Sequence, residues 1–159
     1  MVEETAQIAL RMWSGERGDE RPYKGTHYRL ERPLNLPQSI SRPHPPIMIA
    51  GDGEKKTLRL VARYADACSL RPGQEVPRKL DVLRRHCERE GRDYGEIETT
   101  CAFAFDVGER GEKVGDLIGQ LHWLSGMGIE TVIGSVPKVD RISPLEVIGR
   151  DVIPAVADL

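Results

Sequence analysis

Residues 45–70 read PPIMIAGDGEKKTLRLVARYADACSL and contain the pattern that decides the fold. Ile47–Ala50 is a short apolar run, which is typical of a strand buried on both faces of a parallel sheet. Gly51–Gly53 forms a turn with two residues that tolerate positive φ. A helical period begins at Glu54, and a second short strand, Ala67–Leu70, follows it. This order of strand, glycine turn, helix and strand predicts a βαβ unit.

The turn of this unit predicts an anion site, because unpaired N–H groups at the start of a helix bind phosphates well. The alternative is a purely structural turn. Asp52 and Glu54 favour that alternative, since they can satisfy the helix dipole themselves and would repel a phosphate. Basic residues nearby favour the anion site, namely Lys55, Lys56, Arg59 and Arg63. The apolar positions of the helix recur at helical spacing: Leu58, Val61, Ala62 and Ala65.

The composition limits the classes of protein to which the chain can belong. With 159 residues and 39% hydrophobic residues, it is long enough for one domain, over residues 1–159, with a real core. A net charge of −2 predicts no nucleic-acid surface. Three cysteines within predicted elements indicate a reduced, cytoplasmic protein. No apolar run approaches the roughly 20 residues of a membrane span. His27 and His44 lack ligands at metal-binding spacing, so no metal is expected.

Before the central unit, residues 2–13 predict a helix, and residues 14–46 form an irregular, proline-rich insertion. Two interpretations of the insertion stay open. It is either a stiff structural segment or a lid whose aromatic and histidine side chains touch substrate. The candidate side chains for the lid are Tyr23, His27, Tyr28 and His44. We also expect the residues around Tyr28 to pair with those around Tyr23.

After the central unit, strands and helices continue to alternate, which predicts parallel strands with helical crossovers. Helices are expected near residues 77–90 and 112–125, and a last one with Ser143–Glu146 as its capping box. His86 is expected to be solvated. Four strands are predicted, centred on Ile49, Cys68, Phe103 and Val132. Since a (β/α)₈ barrel needs about 250 residues, four strands make half of one. We expect a chain entered part-way through a larger fold.

The central run carries a resemblance to a known family. PHPPIMIAGDGEKKTLRLVARYADACSL, with MWSG before it and KLDVLRRHCEREGRDYGEIETT after it, resembles the C-terminal half of the luciferase-like flavin and deazaflavin oxidoreductases. The resemblance covers nearly the whole chain and is closest to the F420-dependent branch. It implies an α/β fold, the C-terminal half of a (β/α)₈ TIM barrel, with its site at the carboxyl ends of the strands.

The resemblance also implies a function, namely hydride transfer between coenzyme F420, or alternatively FMN, and a small organic substrate. The N–H groups of Gly51, Asp52, Gly53 and Glu54 would bind the cofactor phosphate, with Lys55 as a charge partner. The catalytic residues would lie mainly in an absent N-terminal half, so the chain alone is expected to be inactive. Its partner would be that half or a second copy of itself. A non-catalytic half-barrel is the third possibility.

Overall fold

The computed structural model describes all residues, 1–159, and divides into two compact units, Met1–Ile47 and Met48–Leu159. In the first unit, helix α1 (Val2–Trp13) is followed by a hairpin of β1 (Tyr23–Lys24) and β2 (Arg29–Leu30). The two strands are antiparallel, with Tyr23 opposite Leu30, as predicted. The proline-rich segment at 14–46 lies within this unit.

The hairpin is tied to α1 by one carboxylate. Glu4 accepts hydrogen bonds from the backbone N–H groups of Thr26, His27 and Tyr28, each with a distance of 3.0 Å. Desolvation raises the pKa of Glu4, but these backbone hydrogen bonds outweigh it and hold the pKa below its usual value. The side chain of one residue on α1 therefore fixes the hairpin turn.

The second unit is a parallel four-stranded sheet with helical crossovers. The strands lie in sequence order, and the two outer strands pair on one side only. The strands are β3 (Met48–Ala50), β4 (Ala67–Leu70), β5 (Glu98–Ala104) and β6 (Thr131–Ser135). The helices are α2 (Thr57–Tyr64), α3 (Val76–Glu90), α4 (Val114–Gly126) and α5 (Ser143–Val147), after which the chain continues as a π-helical turn (Ile148–Val152) and a 3₁₀ turn (Pro154–Val156).

The two faces of this sheet differ because side chains alternate along each strand. On the helix-covered face, Phe103 and Val132 pack against a cluster of buried residues that includes Leu117 and Leu121 of α4. The apolar stripes of α2 and α3 are also buried, as the helical spacing predicted. They comprise Leu58, Val61 and Ala62 on α2, and Val76, Leu80, Leu83 and Cys87 on α3. Residues on the opposite face are mostly small or polar.

Several local predictions are wrong. Helix α2 begins at Thr57 rather than at Glu54, because residues 54–56 form a turn. The predicted capping box does not form. Ile142 takes the N-cap position of α5 with φ 61°, and no side chain caps the helix. His86 is buried rather than solvated, and its ring contacts the backbone carbonyl of Glu54 in the turn before α2.

The cysteines are free and buried, as expected of small apolar side chains. Burial raises the pKa of Cys68 and Cys87, and raises the pKa of Cys101 to about 11. Because the thiolate is the reactive form, we predict that a disulfide reagent at pH 8 labels none of the three thiols in the native protein and all of them in concentrated urea. Absorbance of the released thiol measures this reaction.

The raised pKa values of the three thiols make the stability of the protein depend on pH. Each thiol has a higher pKa in the folded than in the unfolded chain, so the folded state retains its protons longer. We therefore expect the free energy of unfolding to fall as the pH rises from 9 towards 11, where unfolded thiols ionise first. Rapid labelling of the native protein at pH 8 would contradict both expectations.

Candidate functional site

The turn after β3 begins at Gly51, whose φ of +129° favours glycine. The N–H of Gly51 donates to the carbonyl oxygen of Ser69 on β4, at 2.9 Å. That N–H therefore extends the sheet and is not available to a ligand. This corrects the prediction that Gly51 is a donor to phosphate; its role is to let the chain leave the strand.

The next four residues present free donors. The N–H groups of Asp52, Gly53, Glu54 and Lys55 make no hydrogen bond with other protein groups. The turn is nevertheless fixed, because the carbonyl oxygen of Gly53 accepts from the N–H of Leu58 at 3.0 Å, in the first turn of α2. A run of unpaired N–H groups that precedes a helix is an arrangement that binds anions.

The first carboxylate of the turn is paired with a cation. Asp52 accepts from the backbone N–H of Arg71 at 3.0 Å and from its Nε at 2.5 Å. Burial raises the pKa of Asp52, but the hydrogen bonds and charge of Arg71 outweigh it, and the pKa lies below its ordinary value of 3.8. Arg71 thus joins the loop after β4 to the loop after β3 and balances one negative charge.

The second carboxylate of the turn is paired as well. Glu54 accepts from Lys79 Nζ at 2.8 Å and lies 3.2 Å from Arg78 Nη2, both on α3. The hydrogen bond from Lys79 is the main reason that the pKa of Glu54 lies below 4.5. In addition, Nε2 of the buried His86 ring lies 2.7 Å from the Glu54 carbonyl oxygen, to which it donates.

These ion pairs reduce the repulsion that the two carboxylates would exert on an anion at this turn. Both carboxylates that would repel a phosphate are balanced by cations, and both stay ionised until the pH falls below their ordinary pKa values. Lys55 is exposed and makes no ion pair, so its charge is available. Sequence reasoning found the turn but missed Arg71, Lys79 and His86. Their partners lie 19 to 32 residues away along the chain, a distance at which local patterns carry no signal.

The sheet face opposite the helices contains a buried hydroxyl without a partner. Thr100 on β5 is fully buried, and its Oγ1 makes no hydrogen bond. Ser69 on β4 and Ala50 on β3 are in register with Thr100. Ala102 on β5 and Ile133 on β6 follow on the same face. A buried, unsatisfied hydroxyl destabilises a protein unless a ligand or partner satisfies it.

Two adjacent threonines allow a matched test of that hydroxyl. Thr99 is buried like Thr100, but its hydroxyl donates to the Gly128 carbonyl oxygen at 2.8 Å. We predict that Thr100→Val raises the free energy of unfolding by about 1 kcal/mol, because it removes an unsatisfied group. Thr99→Val should lower it by about 1 kcal/mol, since it removes the hydrogen bond of the buried Thr99 hydroxyl to Gly128. Urea denaturation measures both values, and equal losses in the two variants would contradict the assignment.

The remaining predicted site residues lie on β6 and in the first unit. Gly134 and Ser135 lie exposed at the carboxyl end of β6. In the first unit, the Tyr23 hydroxyl donates to Gln7 at 2.9 Å, and His44 stacks on Trp13 with ring centroids 6.1 Å apart. No group of three or more His, Cys, Asp or Glu side chains is arranged to hold a metal ion. None of the helices combines the length and apolarity needed to cross a membrane.

Comparison with a protein-family model and with solved structures shows which proteins this chain resembles. The family model for luciferase-like monooxygenases matches residues 1–148. An F420-dependent secondary alcohol dehydrogenase, solved with an F420–acetone adduct, superposes with a TM-score of 0.78 at 13% identity, over 99% of this chain and 62% of that chain. A coenzyme F420 dependent tetrahydromethanopterin reductase from Methanopyrus kandleri gives 0.70 at 11% identity, over 95% and 62%.

A monooxygenase from Streptomyces bottropensis gives a TM-score of 0.65 at 15% identity, over 91% of this chain and 57% of that chain. The search of curated proteins found no match. The chain thus spans about 62% of the length of the first two solved structures. The likeness confirms the predicted fold class, part of a luciferase-like (β/α) barrel. From the match over residues 1–148, the chain belongs to the luciferase-like monooxygenase family.

Proposed function

We propose that this chain is the cofactor-binding part of an F420-dependent luciferase-like oxidoreductase. The observation that carries the proposal is the run of four free N–H groups at residues 52–55, in a turn whose two carboxylates are paired with cations. Two of the similar solved structures are F420-dependent enzymes, which supports this cofactor. The amides would bind the cofactor phosphate, and Lys55 would add charge.

Gly53 leaves the exposed amides of the turn open to a phosphate. A Cβ on Gly53 would lie 2.7 Å from Thr57 Oγ1, so a larger side chain would crowd the turn where the amides are exposed. When bound, F420 supplies hydride transfer to or from a small organic substrate, and the protein orients it. The residues of this chain would bind the phosphate end; no general acid or base is assigned to it.

FMN is the second candidate cofactor. The family is described by its monooxygenases, and one of the similar structures is a monooxygenase, which supports this alternative. A phosphate is common to FMN and F420, so the turn serves either. Titration of the full chain with each cofactor, followed by fluorescence, tests the choice. Tighter binding of F420 supports the first proposal, and tighter binding of FMN supports the second.

We also propose a partner, because both outer strands of the sheet have one unpaired edge. Beside β6, an apolar groove of about 480 Å³ is lined by α4 and the C-terminal turns, with Leu121, Ile148 and Val156 among its residues. A missing N-terminal half-barrel or a second copy would cover these surfaces. Sedimentation equilibrium tests self-association. A stable dimer that binds neither cofactor would favour the non-catalytic half-barrel.

A cytoplasmic location is part of the proposal. Three buried, unpaired cysteines are suited to a reducing compartment. Catalysis by the chain alone is not expected, since the ring-binding and proton-transfer groups are assigned to the remaining part of the barrel. Turnover of an alcohol by the isolated chain with F420 would contradict this part of the proposal.

A further inference from the structure

His86 places a buried polar ring on α3, outside the set of groups that would bind the phosphate directly. The ring is 9% exposed, and its Nε2 lies 2.7 Å from the carbonyl oxygen of Glu54, 32 residues earlier in the chain. A carbonyl oxygen can only accept a hydrogen bond, so Nε2 carries the proton and donates it. Because a buried polar group costs free energy unless it is hydrogen-bonded, the ring and the carbonyl hold each other in place.

The direction of the Glu54 carbonyl determines the direction of the next amide in the turn. The peptide bond between Glu54 and Lys55 is trans, and the group is planar, so its C=O and its N–H point in opposite directions. With the carbonyl directed towards His86 on α3, the N–H of Lys55 is directed away from α3. That N–H is one of the four free donors of the turn.

The hydrogen bond from His86 would help an anion at the turn in two ways. It keeps the N–H of Lys55 in one orientation, so less conformational freedom is lost when the anion binds. It also holds the partly negative carbonyl oxygen of Glu54 on the opposite side of the peptide from that N–H. Without the bond, rotation of the peptide plane about the flanking single bonds would exchange a donor for an acceptor, which repels an anion.

The two ion pairs of Glu54 do not perform this task. Lys79 and Arg78 contact its carboxylate, at 2.8 Å and 3.2 Å, and several rotatable bonds separate that carboxylate from the backbone. The Arg78 side chain is 63% exposed, so solvent screens its ion pair. The contact from His86 is buried and acts on the peptide group itself, which makes it the stronger constraint on the orientation of the Lys55 N–H.

We propose that His86 is a positioning residue of the phosphate site, which orients the N–H of Lys55 through the carbonyl of Glu54. The ring itself would touch neither the phosphate nor the rest of the cofactor. Its contribution is to fix one donor of the turn before the anion binds. The inference rests on the proposed function, because it concerns the amides that would bind the phosphate there.

Calorimetric titration of the full chain with inorganic phosphate, at fixed ionic strength, tests the role of His86. His86→Leu removes the donor and should weaken phosphate binding by about tenfold, the effect of roughly one hydrogen bond. His86→Gln places an amide nitrogen where Nε2 of the ring lies, so the affinity should stay within about twofold of that of the unmodified chain. Since glutamine is uncharged, this recovery would show that the hydrogen bond acts and not a charge. His86→Asn is too short to reach the carbonyl and should bind phosphate like His86→Leu.

The matched control is Arg92→Leu. Arg92 Nη1 donates to the carbonyl oxygen of Ala65 at 2.7 Å, a tether of the same length at the opposite end of α2 from the turn. Its loss should lower the free energy of unfolding in urea, yet change the phosphate affinity by less than about twofold. A second measurement follows the backbone amide of Lys55 by NMR. Phosphate should shift its resonance in the unmodified chain and in His86→Gln, and shift it much less in His86→Leu.

Phosphate affinities of His86→Leu and His86→Asn equal to that of the unmodified chain would overturn the inference, and so would an equal loss in His86→Gln or in Arg92→Leu. If His86→Leu does not fold, His86→Asn carries the test. The proposed function fails separately, and takes the inference with it, when the unmodified chain binds no phosphate. Phosphate binding that Gly53→Trp abolishes and His86→Leu retains refutes the role of His86 alone.

Discussion

Leu58→Ala is expected to lower the free energy of unfolding by about 3 kcal/mol, the middle of the range for a buried leucine. Leu58 is fully buried in the first turn of α2, where its N–H also bonds to the turn after β3. The substitution removes three buried carbon atoms and leaves a cavity that the packed helices fill only in part. Urea denaturation followed by circular dichroism measures the loss.

The matched control is Leu145→Ala on α5, in the same unit. Leu145 is 46% exposed, so its truncation should cost less than about 1 kcal/mol. A similar cost for the two variants would mean that α2 is not packed as described. Because Leu58 follows the turn closely, its variant should also weaken phosphate binding, whereas the Leu145 variant should not.

Gly53→Trp is expected to abolish phosphate and cofactor binding, with at least a tenfold loss of affinity, or about 1.4 kcal/mol. A Cβ at this position would meet Thr57 Oγ1 at 2.7 Å, so the Thr57 side chain or the turn must shift, and the indole would cover the free N–H groups beside it. Calorimetric titration with inorganic phosphate, and fluorescence titration with F420 and FMN, measure the affinity.

Gly119→Trp is the control for this change. Gly119 is exposed on α4, and nothing lies within 4 Å of the place where its Cβ would stand. Both variants should keep the helical circular dichroism of the unmodified chain. If Gly53→Trp binds phosphate as well as Gly119→Trp does, the turn is not the anchor, and the proposed function loses the observation that carries it.

Periodicity in the sequence predicted most of the elements. The i, i+3, i+4, i+7 spacing from Leu58 and the stripe from Val76 to Cys87 both became buried helix faces. The four predicted strands became four parallel strands in sequence order. The first of them is not buried on both faces as predicted, because Met48 and Ala50 are exposed and only Ile49 is buried. Such patterns are readable because burial repeats with the period of the element itself. The ends of the elements were predicted less accurately, since α2 begins at Thr57 rather than at Glu54.

The sequence by itself determined the βαβ unit, the half-barrel order of strands and the position of the turn after β3. Only the tertiary structure decided which donors are free, because Gly51 bonds to Ser69 on the neighbouring strand. It also paired Asp52 with Arg71, buried His86 and left Thr100 without the partner that Thr99 has. These contacts join residues that are distant in the chain, and their energies depend on distance and burial, which no local pattern contains.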